Sequence, residues 1–419
     1  MNLHGKTLLI CEEALCEYGG HFYSWIKAIR TIHERAGARV MVAGNRSMLP
    51  SIAEEFTAIP AFKVNTWSGI YHYPQAWKRY LSVFRHNLRL YWELARVLRE
   101  SGPVDCILFP AVRIHHLMAL RALCAFKGSH FRRMVPFMLT SEAVYNADFT
   151  DFHFKKSSVL SEKVLRSFSG LVQSGKVVFA GDSHVTCAEY ERMSGVPFQV
   201  FPSPSAGLSA VGGGADDSQV RERDCPCFTI LGVSVIDKGM DVLQNAILKL
   251  LRADPALKAR FVIQWSVPTI GYDGSPIPIE DALRRAPQVT LLESTLSEEE
   301  YKTALSGTDF MLLPYRRLVY FNRLSGVVVE AACAGIPMIV TENTWLDWAL
   351  REYGAGVTAK DGDADDLAEK ILFCIENADR LASEARKKKP AALEKNSTEN
   401  YLNLIWFAGM MAEPQPSPS

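Results

Sequence analysis

The chain has 419 residues, 48% of them hydrophobic and 22% charged, which excludes a disordered or fibrous polypeptide and fits two folded domains. No apolar run approaches the roughly 20 residues of a membrane span. The short run TLLIC after Lys6 lacks the longer apolar core of a signal peptide, so a cytoplasmic protein is expected. The nine cysteines are scattered, and Cys225 and Cys227 have no further ligands at zinc-finger spacing, so free thiols are expected. A formal net charge of zero hides an asymmetry. Residues 1–205 carry 24 Lys+Arg against 16 Asp+Glu, and the remainder carries 22 against 30. A basic first half suits an anionic acceptor or a membrane surface; attraction between the two halves is the alternative.

In chain order, strand-like runs fall at residues 7–11, 38–43, 105–110, 134–139, 176–181 and 197–202. A second set falls at 227–232, 260–265, 288–293, 309–314 and 338–341. These runs are short, nearly continuously apolar and separated by helix-period segments. That is the pattern of parallel strands buried on both faces, joined by right-handed crossovers. The expected fold class is α/β, with two Rossmann-like doubly wound domains. Residues 203–226 are small and polar and mark a linker between domains 1–202 and 227–397. An apolar helical stretch at about 398–412 needs a surface to cover, and residues 413–419 read as a disordered tail.

The chemistry-bearing residues sit at strand ends. Gly19-Gly20 follow the first strand and allow close approach of backbone to a ligand, although the dinucleotide fingerprint GxGxxG is absent. Residues 71–100 mix aromatics with Lys78, Arg79, Arg85 and Arg89, either a helix lying on a membrane interface or a core helix with a solvated basic face. Lys238-Gly239 opens a helix after the first strand of the second half. Its lysine can reach a diphosphate, or be an ordinary solvated lysine. Ser297 with Glu300 is a capping box. The segment SGVVVEAACAGIP, residues 325–337, places a small-residue turn at a helix N-terminus, where free N–H groups and the helix dipole favour phosphate. Glu330 follows about one turn later, within reach of a ribose hydroxyl pair. Asp361 and Asp363 precede a helix and read as capping rather than metal ligation.

Taken in this order, the residues resemble the GT-B glycosyltransferases, specifically the retaining family GT4 that uses nucleotide sugars. The likeness is strongest from Phe228 to Val357. It implies two domains facing across a cleft, a nucleotide-sugar donor held by the second, an acceptor held by the first, and a last helix that packs back on the first domain. It also implies roles. Lys238 matches the phosphate-binding lysine, and Glu330 the second glutamate of E-x7-E, which bonds the donor ribose. Ser325, Gly326 and Val327 match the turn whose amides meet phosphates and sugar, and Gly19 and Gly20 the loop that closes on the donor.

Three departures stand against the likeness. Asn322 replaces the first glutamate of E-x7-E. Val233 stands where an arginine is common, leaving Arg316, Arg317 or Arg323 to assist Lys238. Glu142 or Ser141 stands where a histidine is frequent, and His115 and His116 are displaced in order. The expected activity is hexosyl transfer from a nucleotide-diphosphate sugar to an acceptor hydroxyl, with retention, in glycan or glycolipid assembly. No cofactor and no metal are expected, and Lys238, Asn322 and Glu142 are the catalytic candidates. A glycan or lipid-linked acceptor and peripheral membrane contact are the expected partners; nucleic acid is not. The alternatives are a GT-B-shaped binding protein without catalysis and a sugar-nucleotide epimerase.

Overall fold

The structure is a computed structural model that describes residues 2–18, 21–65, 73–155, 158–202 and 225–408. The chain divides into two units, Met1–Ala206 with Thr398–Ser419, and Gly207–Ser397. The strands of the first unit are β1 Thr7–Cys11, β2 Arg39–Asn45, β3 Ile59–Phe62, β4 Val104–Val112, β5 Phe131–Met138, β6 Ala143–Tyr145, β7 Phe152–Phe154, β8 Phe179–Gly181 and β9 Phe198–Val200. Seven of them form one parallel sheet in the order β3-β2-β1-β4-β5-β8-β9, while β6 and β7 make a separate antiparallel hairpin.

Successive residues of a strand point to opposite faces, so a continuous apolar run feeds two cores at once. Leu9, Ile107 and Met134 face one core, and Leu8, Ile10, Leu108 and Val135 the other. The helix Ala76–Ser101 covers the first face through Leu90, Leu94 and Val97. The helix His21–Arg35 covers the second through Trp25, Ile26 and Ile29. The terminal helix Thr398–Phe407 joins that second layer: Tyr401, Leu402, Ile405 and Trp406 are all buried in the same core. Each such side chain contributes roughly 1.5–3 kcal/mol when fully buried.

The second unit holds β10 Cys227–Ile230, β11 Arg260–Gln264, β12 Thr269–Ile270, β13 Pro276–Ile277, β14 Val289–Leu292, β15 Phe310–Leu313, β16 Met338–Thr341 and β17 Gly356–Ala359. Its parallel sheet runs β14-β11-β10-β15-β16-β17. In both sheets the chain order reverses beside the first strand, between β1 and β4 and between β10 and β15. That is the doubly wound topology, whose ligand site lies beyond the carboxyl ends of the strands at the reversal. Among the described residues no helix is long and apolar enough to cross a membrane.

Candidate active site

The second unit's site is assembled by three segments at the carboxyl edge of its sheet. After β10 the chain turns through Gly232, forms the short helical turn Ile236–Lys238, and enters the helix Met240–Ala253 at Gly239. Gly239 has φ +69°, and a Cβ there would lie 2.0 Å from the Pro314 carbonyl oxygen. Only glycine lets this turn press against the end of β15. Gly232 is favoured by its φ of +95°, and Lys238 Nζ lies 2.3 Å from where its Cβ would be. The Gly232 N–H donates to Gln264 Oε1 at 2.6 Å, tying the turn to β11. Lys238 Nζ donates to the Leu231 carbonyl at 3.3 Å and stands 5.4 Å from the centre of the buried Tyr315 ring.

The helix Gly326–Ala334 supplies the second segment. Ser325 is its N-cap and makes no side-chain capping bond, so the first-turn N–H groups are not closed off by it. An ideal Cβ at Gly326 would meet nothing within 4 Å, so this exposed residue borders open space. The buried Ser325 hydroxyl lies beside Tyr315 Oη, which makes no hydrogen bond of full geometry. The helix ends at Gly335 in the left-handed region, and β16 follows.

The third segment is the helix Glu298–Ser306, capped by the reciprocal Ser297–Glu300 box. It presents Tyr301, whose hydroxyl donates to Glu330 Oε2. Burial raises the Glu330 carboxyl above its ordinary range, and the Tyr301 bond and the Lys238 charge oppose the rise. Burial pushes the Lys238 ammonium down to about 8; the Arg323 guanidinium adds to that push and Glu330 opposes it. Lys238, Ser325 and Glu330 thus share one electrostatic neighbourhood. Of the three arginines left open by the sequence, Arg323 is the one whose charge bears on Lys238. Arg316 is held by Asp241 at 2.6 Å, and the Arg317 guanidinium lies 6.0 Å from the Phe321 ring.

The remaining predicted residues are less closely joined. Asn322 is half-buried in the turn before Ser325, and Val327 is half-buried in the first helical turn. Val233 is exposed. Glu142 belongs to the first unit, in the loop between β5 and β6; burial raises its carboxyl, and Arg113 and Lys155 oppose the rise. Its neighbour Ser141 is engaged by Glu189. Gly19 and Gly20 lie outside the described residues, as do most of the 203–226 linker and the 413–419 tail. Asp363 caps the helix Ala364–Glu376 by accepting from the Asp365 and Asp366 N–H groups at 3.0 and 2.9 Å. Tyr301 and Tyr315 escaped the sequence reading, since a tyrosine in an amphipathic helix and one after a strand carry no pattern of their own. A cavity of about 600 Å³ elsewhere in the unit, lined by Asn343, Asp347, Arg351, Thr358 and Lys370, includes neither Lys238 nor Glu330.

Residues 227–377 match the family Glycosyl transferases group 1. No curated protein matches the sequence. Among solved structures, the chain is similar to a glycosyltransferase from Rickettsia africae, with a TM-score of 0.66 at 11% identity over 97% of this chain and 99% of that one. It is also similar to sucrose-phosphate synthase from Thermosynechococcus elongatus, with a TM-score of 0.58 at 13% identity over 97% and 100%. HepE of Anabaena, in complex with UDP and glucose, gives 0.56 at 12% identity over 96% and 98%. The chain thus carries, over residues 227–377, a match to the Glycosyl transferases group 1 family, within the two-Rossmann-unit GT-B fold.

Proposed function

We propose that the protein transfers a hexose from a nucleotide-diphosphate sugar to an acceptor hydroxyl, with retention of anomeric configuration, in glycan or glycolipid assembly. The observation that carries this reading is the union of Lys238, the Gly326 helix N-terminus and Glu330 at one strand edge. Departure of the nucleoside diphosphate leaves negative charge on phosphate as the sugar becomes oxocarbenium-like. Preformed donors aimed at that charge lower the barrier. Lys238 and the first-turn N–H groups are those donors, with Arg323 adding positive potential. Glu330 accepts from the ribose hydroxyl pair, with Tyr301 holding the carboxylate in place. Asn322 hydrogen-bonds the donor sugar as donor and acceptor, without charge. Glu142 orients the acceptor. The donor is a substrate, and this step uses no separate cofactor.

The acceptor end of the reading rests on the helix Ala76–Ser101. At 100° per residue, Trp77, Tyr80, Phe84, Leu88 and Trp92 fall within one arc of about 120°. All five are exposed, Trp77 by 63% and Trp92 by 60%. Lys78, Arg85 and Arg89 flank this arc, and no acidic residue occurs between Tyr73 and Trp92. Aromatic rings beside basic residues suit the headgroup layer of an anionic bilayer, so we assign the acceptor to the lipid-linked class.

Incubation with UDP-, GDP- and ADP-sugars, with and without lipid-linked acceptors, should release nucleotide with at least one donor. Binding of nucleotide without turnover under every combination would instead favour the non-catalytic alternative, and conversion of donor without acceptor the epimerase. Co-sedimentation with phosphatidylglycerol vesicles should fall several-fold in a Trp77→Ala/Trp92→Ala variant; unchanged sedimentation would remove the membrane assignment.

A further inference from the structure

A buried cluster in the first unit has no part in the reaction just described. Glu13 follows β1, and His116 closes the turn Ile114–His116 that follows β4. These adjacent strands form the reversal point of that sheet. His86 reaches the same point from the helix Ala76–Ser101. His116 Nε2 is 2.8 Å from Glu13 Oε2, and His86 Nε2 is 3.3 Å from Glu13 Oε1. One ligand atom from each residue lies within 4.8 Å of the other two, and all three residues are buried. We propose that Glu13, His86 and His116 form a binding site for a divalent transition-metal ion of the zinc class.

Three observations carry the proposal. The first is the donor set. Two imidazoles and one carboxylate are the protein ligands of open zinc sites, and imidazole disfavours magnesium and calcium. The second is charge. Glu13 is 7% exposed, and its Oε1 accepts no hydrogen bond among the described residues. A buried carboxylate so placed is costly, and a bound dication removes the imbalance.

The third is the outer partner of His116. Its Nδ1 lies 2.9 Å from the Arg113 N–H and 3.1 Å from the Arg113 carbonyl oxygen. When Nδ1 accepts from the N–H, Nε2 carries the proton and donates to Glu13. When the ring proton sits on Nδ1, it donates to the carbonyl, and Nε2 presents its lone pair. The second arrangement is the usual support of a metal-bound histidine. On the His116 side, metal binding therefore needs only a change of tautomer.

The test uses the full chain stripped with a chelator and titrated with cobalt(II) and zinc(II). One equivalent of cobalt should give a visible d–d spectrum without the near-ultraviolet band of thiolate-to-cobalt charge transfer, which separates this site from the nine cysteines. Zinc should displace it and raise the unfolding temperature. Glu13→Gln and His116→Gln, each shown by circular dichroism to be folded, should weaken zinc binding by more than ~100-fold, beyond what disturbing an outer partner alone causes. His130→Gln, at a half-buried turn outside the cluster, should bind as wild type. Absence of cobalt binding to wild type would overturn the site. So would a thiolate band, or wild-type affinity in both cluster variants.

Discussion

The two units share a strand plan and differ in what stands beyond it. Both reverse beside their first strand, and both place a loop there. After β10 that loop delivers a cation, Lys238, next to a helix N-terminus, and the mouth is positive. After β1 it delivers a carboxyl group, Glu13, beside two imidazoles, the donor set of the proposed cation site. The scaffold fixes where a ligand can be held; one or two residues after the first strand decide its sign. The overall charge of the halves, basic in the first and acidic in the second, is opposite to the local charge at each mouth. Bulk charge is thus a poor guide to a site.

The sharpest way to break this contrast is to neutralise the second mouth. Lys238→Ala should lower turnover by about 10²–10³, the range for losing one preorganised donor to a developing anion; nucleotide release from a productive donor measures it, and a loss below three-fold would refute the lysine's role. Next in size is the turn that aims it. Gly239→Ala meets both a left-handed φ and the Pro314 carbonyl, and should destabilise the second unit by about 1–3 kcal/mol or more. Gly5→Ala is the control, with φ +77° but nothing within 4 Å of its Cβ, and should cost only the backbone strain. Equal shifts in calorimetric unfolding would show that the Pro314 contact is not what fixes the turn.

A smaller effect is expected from pH. The protonated ammonium binds diphosphate, and in the free protein it loses its proton near pH 8. Affinity for UDP should therefore fall by about ten-fold per pH unit above that point, and Lys238→Arg should abolish the fall. The stability of the free protein should move the other way. An unfolded lysine keeps its proton to about pH 10.4, so between about 8 and 10.4 the unfolded chain binds more protons and stability rises with pH. Calorimetric titrations at pH 7, 8 and 9 read the first sign and thermal melts the second. The smallest effect is at the acidic pair before the helix Ala364–Glu376. Asp363→Ala should cost about 1 kcal/mol as a lost cap and leave turnover unaltered. A fall in turnover restored by added magnesium would reverse the capping assignment.

The sheets were legible because each central strand is a short apolar run with cores on both faces. The edges were not. β3 is IPAF, with a proline that cannot donate to a ladder, and β17 is GVTA, too polar to stand out. The hairpin β6–β7 is three residues a side and half-buried, so it has no alternating signature. At the site, Lys238-Gly239 and the Ser325 turn were readable because glycine and helix starts are local events. Tyr301 was not, and Arg323 could not be told from Arg316 and Arg317, because the choice exists only once two helices and a turn converge on Glu330 and Lys238. His116 was set aside as out of order along the chain. Order is no guide where β1 and β4 are neighbours in space and more than ninety residues apart in sequence.

The terminal helix Thr398–Phe407 has a temporal consequence. Its side chains complete a hydrophobic layer begun by Trp25 and Ile26, while all of the second unit intervenes. During synthesis the second unit can finish its fold as it emerges, whereas the first, though made earlier, waits for residues 398–407 to leave the ribosome. Until then it exposes a tryptophan-lined groove to any chaperone nearby, so a stop codon just ahead of Thr398 would injure the half of the protein farthest from it in sequence.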